Sequence, residues 1–348
     1  MLLANQITRT NNLKGNVIII GGGLSGLTVG ILLARAGIAV ELFEKKQYPF
    51  HRVCGEYISG ETIPFLKSLS LYPEEFNPTE ITQLQLTSAN GKSVTLPLDV
   101  GGFGISRYCF DHFLAEKARQ AGVVFHVDTE VTNVEFIDEG FDVHTSDKVY
   151  HGDIVIGAFG KRSRLDIQLQ RDFIQKRSPY MGVKYHIKTN HPHDLIALHN
   201  FKGGYCGISN IEDGKTNLCY LSHRSNLKKH RTIADMEKNV LFRNPYIKSI
   251  FQRSEFLFEK PETINEISFE TKSPVENHVL MSGDAAGMIT PLCGNGMSMA
   301  IHAAKIVSEL VIRFYKEPGY SRAQLEQEYT RIWKNNFSFR MQTGRQIQ

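Results

Sequence analysis

The stretch Val17-Ile18-Ile19-Ile20-Gly21-Gly22-Gly23-Leu24-Ser25-Gly26 decides the fold of this chain. Four β-favouring apolar residues run into a glycine turn, and the apolar periodicity then predicts a helix over Leu24–Ala36, stopped by Gly37. A second strand follows over Ala39–Phe43. The turn fits G-x-G-x-x-G. Gly21 permits the tight turn, Gly23 lets the backbone approach a pyrophosphate, and Gly26 lets the helix pack on the strand. The helix N-terminus offers unpaired N–H groups and partial positive charge to phosphates. Glu44 lies 18 residues past Gly26 (44 − 26), at the end of the second strand, where a carboxylate accepts ribose hydroxyls and repels a 2′-phosphate. A bare motif marks only a tight turn. Strand before, helix after and acid at that distance predict adenine-dinucleotide binding, with FAD and NAD both open at this point.

Outward from that unit, a proline- and glycine-bearing loop covers Tyr48–Thr62. A hairpin over Ile81–Leu98 turns at Asn90-Gly91, a type I′ signal. A helix covers Asp111–Ala121 and is closed by Gly122, and strand-like runs continue from Val123 to Ile156. The pattern changes between Met181 and Phe269. Alternating β-rich runs dominate there (Val183–Ile187, Leu195–Asn200, Asn217–His223), interrupted by one amphipathic helix, Ile233–Val240. Val279–Ser282 reads as a short buried strand before a glycine-rich turn. Two helices, Ser298–Tyr315 and Ala323–Arg340, close the pattern, and residues up to Gln348 still read as helix. The expectation is an α/β protein with a Rossmann-like, discontinuous dinucleotide domain (1–80, 99–180 and 271–348). A β-rich substrate domain (81–98 and 181–270) is inserted into it.

Composition narrows the class. Of 348 residues, 41% are hydrophobic and 22% charged, as in a globular protein with a real core. Lysine plus arginine exceeds aspartate plus glutamate by four (40 − 36), and no basic run is interleaved with aromatics, so nucleic acid is not expected as a partner. The five cysteines (54, 109, 206, 219 and 293) show no C-x-x-C spacing. Neither a disulfide framework nor a zinc site is expected, and free thiols point to a reducing compartment. Met1–Asn16 lacks the apolar core of a signal peptide, and no apolar stretch is long enough to span a bilayer. A cytoplasmic protein is expected, with peripheral membrane contact left open. His191-Pro192-His193 has neither H-E-x-x-H nor an acidic cluster beside it and reads as a solvated loop, so no metal is expected. The chain contains no G-x-S-x-G, which removes the serine-hydrolase elbow.

Four segments carry a family resemblance: the first 52 residues, Ile105–Asp111, Asp153–Arg164 and Gly283–Met299. Together they resemble the p-hydroxybenzoate hydroxylase-like FAD superfamily, which includes aromatic hydroxylases, flavin halogenases and geranylgeranyl reductases. The resemblance implies FAD as the cofactor. It places Leu24, Ser25 and Lys45 with Gly21, Gly23, Gly26 and Glu44 among the cofactor-binding residues. Gly283-Asp284-Ala285-Ala286-Gly287 resembles the family's GD motif, which implies that Asp284 holds the ribityl chain. Pro291-Leu292-Cys293-Gly294-Asn295-Gly296-Met297 then brings Pro291 and the Gly294, Asn295, Gly296 and Met297 backbone to the flavin ring. There, N–H groups at the start of a helix can stabilise negative charge on reduced flavin. Arg107, which alone would read as a surface arginine, resembles the family arginine that reaches the cofactor, and Arg52 resembles a second. Gly157-Ala158-Phe159-Gly160 stands where the family carries its DG motif. Gly160 matches, but Phe159 replaces the aspartate that relatives tie to both FAD and NAD(P)H. NAD(P)H is a possible reductant, and Phe159 leaves the identity of the electron donor open.

The segment Cys54-Gly55-Glu56-Tyr57-Ile58-Ser59 looks most like geranylgeranyl reductases. It makes Cys54 the candidate catalytic residue, as proton donor or tuner of the ring; otherwise Cys54 is a small packing residue. The geranylgeranyl reductases' Y-x-W-x-F-P signature has only Gly204-Tyr205-Cys206-Gly207-Ile208-Ser209 as a counterpart, without tryptophan or proline. The halogenase motif W-x-W-x-I-P cannot occur, because Trp333 is the single tryptophan. The leading expectation is an FAD-dependent monooxygenase that hydroxylates an aromatic or lipid-like small molecule through a flavin C4a-hydroperoxide. A reductase of C=C bonds is the alternative. A flavin-binding sensor or scaffold without turnover is the alternative of another class.

Overall fold

The computed structural model describes residues 15–347 apart from 177 and 266. The N-terminal residues up to 14, expected to lack a signal-peptide core, lie outside the described residues. The strand Asn16–Ile20 pairs in parallel with Ala39–Glu44 on one side and with Ile154–Gly157 on the other. Val17, Ile18 and Ile19 are fully buried, as a parallel strand covered on both faces requires. Val279–Met281 adds in parallel beyond Ile154–Gly157, Val275–Glu276 closes that edge antiparallel, and Val124–Val127 closes the other, giving six strands. The helix Leu24–Arg35 packs against the helices Arg107–Gln120 and Gly296–Lys316. The dinucleotide unit thus starts near the N-terminus and is completed by elements after residue 270.

A second sheet of nine strands holds the inserted β-rich segment. Tyr180–Lys188, Thr216–His223, Gly204–Asn210 and Leu195–Phe201 run antiparallel in that spatial order, and Leu195–Phe201 pairs in parallel with Thr79–Thr87. Side chains alternate across it. Val183, Tyr185, Ile187, Leu218 and Tyr220 pack outward against Met236, Leu241, Ile247 and Ile250 of the covering helical segments. Tyr205 and Leu221 face the other way, against Ile267 and Met288.

Several boundaries differ from expectation. The hairpin strands run over Thr79–Thr87 and Ser93–Gly104, and Tyr57–Ser59 joins the same sheet, so the sheet reaches beyond the expected 81–98 segment. The turn is not type I′: of Asn90-Gly91 only Gly91 has a positive φ (85°). The Gly91 N–H donates to the Ser88 carbonyl at 3.0 Å, which makes a type I turn with glycine in the left-handed position after it. The Ser88 hydroxyl accepts the Lys92 N–H at 3.0 Å and holds this longer turn. The helix expected from Asp111 begins at Arg107, because the Ser106 side chain accepts the Cys109 N–H and caps it. Two helices on the outer face, Arg224–His230 and Pro245–Arg253, were not expected at all.

Candidate active site

The predicted cofactor segments meet at the carboxyl ends of four parallel strands, the position at which open α/β sheets bind ligands. Gly21 follows the first strand and donates its N–H to the Phe43 carbonyl at 2.8 Å. The Ala158 N–H donates to Ile20 at 2.8 Å, and the Ser282 N–H to Gly157 at 2.9 Å, stitching the four ends together. Ser25 and Ser282 hydroxyls bond at 2.7 Å across this join. Leu24 is the first residue of the cradle helix and turns its side chain into the core.

Glu44 is buried, and one of its oxygens accepts both the Gly22 N–H and the Arg52 guanidinium at 3.0 Å each. The Nε of Arg52 donates to Asp111 at 3.0 Å. Arg107 grips the same carboxylate with two bonds, of 2.7 and 2.8 Å. Glu44, Arg52, Asp111 and Arg107 therefore form one alternating chain of charge along the crevice. The other Glu44 oxygen accepts the Lys46 N–H at 3.1 Å; with about four acceptor positions on a carboxylate, Glu44 retains one for a ribose hydroxyl. Lys45 is exposed beside this chain and makes no ion pair within it.

The Cys54 loop crosses the crevice. The Cys54 thiol is half-buried and donates to the Met297 sulfur at 3.6 Å, and it lies beside the Arg107 guanidinium. Two residues on, Glu56 sits at a left-handed φ of 54° and is fully buried. Lys184 donates to one Glu56 oxygen at 2.5 Å, His186 bonds the other at 2.7 Å, and the Arg107 N–H donates at 2.8 Å. Burial alone would push this carboxyl up, but Lys184 and His186 outweigh it and hold its pKa at about 2. Neither Lys184 nor His186 was singled out from sequence. The signal was present: both occupy one face of a strand whose other face is Val183, Tyr185 and Ile187, and a lysine sealed in that way needs an acid.

The GD loop is held from below by two buried cations, also missed. Lys272 donates to the carbonyls of Asp284 at 2.8 Å and Lys161 at 2.9 Å. Arg171, paired with Asp166 at 2.9 Å, donates to the Ala285 carbonyl at 3.0 Å. Burial lowers the Lys272 pKa to about 8, against the pull of Asp166 and Asp284. Beyond this loop, Pro291–Cys293 makes a short 3-10 turn, and Gly294 follows at a φ of 64°. Asn295 precedes the helix Gly296–Lys316 without capping it, and its buried Oδ1 has no hydrogen-bond partner among the described residues. Phe159 packs against the core, and no carboxylate stands at its place.

The glycines test whether a dinucleotide fits. Added Cβ atoms at Gly21 and Gly26 would meet backbone at 2.4 and 2.0 Å, so these two are fixed by the turn. On Gly23 the nearest atom is Arg107 Nη2 at 3.5 Å, and on Gly160 nothing lies within 4 Å. Gly23 and Gly160 thus face open space at the strand ends, the uncapped helix and the orphaned Asn295 oxygen lie further along, and the residues present fit the group. Among the described residues no metal-ligand cluster occurs, and no helix is long and apolar enough to cross a membrane.

Fold and crevice define a dinucleotide-binding flavoprotein. The chain belongs to the FAD binding domain family, whose model matches residues 14–331. FAD is its cofactor, and the protein is an FAD-dependent oxidoreductase. It is similar to a digeranylgeranylglycerophospholipid reductase of Methanosarcina acetivorans, 26% identical over 337 residues that cover 92% of this chain and 80% of the relative. It is also similar to conditioned medium factor receptor 1 of Dictyostelium discoideum, 24% identical over 92% of this chain and 68% of that one. Among solved structures a flavin-dependent halogenase superposes with a TM-score of 0.78 at 20% identity, over 93% of this chain and 62% of that chain, a likeness of fold.

Proposed function

We propose that the protein reduces C=C bonds of a lipid-like substrate, with Cys54 as proton donor. The observation that carries this reading is the Cys54 thiol, set against Met297 in the first turn of the helix Gly296–Lys316, two residues from the buried Glu56 anchor. The apolar cluster of Tyr205, Leu221, Ile267 and Met288, with Leu292 packed on it, offers a hydrocarbon-like wall nearby. Relatives named for reduction of a digeranylgeranylglycerophospholipid support the substrate class. When bound and reduced, FAD supplies two electrons and one hydrogen. Cys54 then gives its proton to the second alkene carbon beside the Arg107 guanidinium, and solvent returns a proton to the sulfur. Cys219 is a poorer donor, since burial pushes its thiol up to about 12.

The second reading, a monooxygenase, is favoured by the strand Gly204–Asn210, which lacks the tryptophan and proline of the reductase signature. The deciding experiment gives dithionite-reduced holoenzyme a geranylgeranyl ether lipid in detergent, with and without ¹⁸O₂. Saturated product formed without oxygen, and slowed about 10²-fold or more in Cys54→Ala at full FAD occupancy, is the expected result. Product that forms only with oxygen and carries ¹⁸O would make the protein a monooxygenase.

A further inference from the structure

The outer face of the nine-stranded sheet carries a cavity of about 600 Å³, on the side away from the flavin crevice. Its lining includes Gln85, His191 and His199 from the sheet and its loop, and Tyr246, Ile250 and Arg253 from the helix Pro245–Arg253. That volume falls in the range of small-molecule sites.

The floor is chemically defined. His199 is 1% exposed, and its ring stacks on Tyr246 at 5.2 Å. Its Nδ1 lies 3.0 Å from the buried Thr87 hydroxyl. That hydroxyl oxygen already accepts from the Asn244 amide at 2.9 Å, and its proton has no acceptor other than Nδ1 among the described residues. Nδ1 therefore accepts, the ring proton sits on Nε2, and a buried residue lining the cavity carries an N–H donor with no partner among the described residues. Burial holds the His199 pKa at about 4, so the ring is neutral near pH 7. Arg253 stands exposed at the rim and makes no ion pair among the described residues. Burial, with the Arg253 charge adding in the same sense, keeps His191 below its ordinary pKa. No carboxylate lines the cavity.

We propose that this cavity is a second ligand site, for a small carboxylate with an apolar body. The carboxylate takes the His199 Nε2–H and the Arg253 guanidinium, and the body lies along Tyr246 and Ile250. A cation is disfavoured by the arginine and by the absence of any acid. The proposal is independent of the reaction assigned to the flavin crevice.

The test titrates FAD-loaded protein with octanoate and with indole-3-acetate by calorimetry, in wild type, His199→Phe and Arg253→Met. One molecule should bind per chain with a Kd at or below about 1 mM, weakened about tenfold or more in each variant, with the flavin spectrum unchanged. Failure of both probes to bind at about ten times that concentration, or unchanged affinity in either variant, overturns the proposal. Should His199→Phe not fold, Arg253→Met, at an exposed position, decides alone.

Discussion

A Cβ on Gly21 would sit 2.4 Å from the Ala158 carbonyl, and one on Gly26 2.0 Å from the Gly21 carbonyl, so a side chain at either position disrupts the turn itself. Gly23 differs, being extended (φ −90°, ψ −174°) and open. Gly23→Val should fold with the melting temperature of the wild-type apoprotein yet purify colourless, because the side chain occupies the lane of the pyrophosphate; a yellow Gly23→Val protein would contradict the assignment. Glu56 gives the opposite signature. Its pKa is held at about 2 against an ordinary 4.5, so its stabilising contribution is complete above pH 4.5 and is lost as pH falls toward 2. Glu56→Gln leaves Lys184 buried without its carboxylate and should lower stability by about 3–5 kcal/mol at pH 7. Denaturant unfolding should show that difference shrinking between pH 4.5 and 2. The cradle residues were legible in the sequence because their spacing is local to one βαβ unit. Lys184 and His186 were not, because Glu56 lies far along the chain, where no spacing rule reaches; Arg171 and Lys272 were not, because what they hold in the GD loop is backbone carbonyl, which no residue type announces.

At the scale of elements, periodicity found the strands and the long helices, while side-chain capping set their ends. Ser106 moved one helix start back to Arg107. Asn244 caps the unexpected Pro245–Arg253 helix, with proline in its first turn, although Asn-Pro otherwise reads as a turn. The link from the substrate sheet back to the crevice carries Lys272, which clasps the Asp284 and Lys161 carbonyls. Its pKa of about 8 makes this clasp pH-dependent. An anionic cofactor near Asp284 favours the ammonium form, so binding takes up a proton above pH 8 and affinity falls as pH rises through that value. Fluorescence titration of apoprotein with FAD from pH 7 to 9.5 should show the decline in wild type and a flat profile in Lys272→Arg; equal slopes would remove Lys272 from this role.

For the whole molecule, the dinucleotide half was readable because four strand ends must converge on one ligand. The spatial order of the second sheet, with Leu195–Phe201 lying parallel to Thr79–Thr87, has no such local code. Phe159 bears on the catalytic cycle as a whole. With an aromatic ring where the family resemblance implies an aspartate, the reductive half-reaction should be slow with NADPH or NADH in the absence of substrate. Stopped-flow bleaching of the flavin by either nucleotide faster than turnover would contradict this.

The carboxylate of Glu56 also governs how such an architecture can diversify. A β-sheet grafted from another chain would bring its own strand in place of Tyr180–Lys188. Unless that strand presented a cation opposite Glu56, the graft would seal a bare negative charge inside the protein. Recombination that reshapes the substrate wall must therefore carry acid and base together, whereas the helices on the outer face can be exchanged without touching that pair.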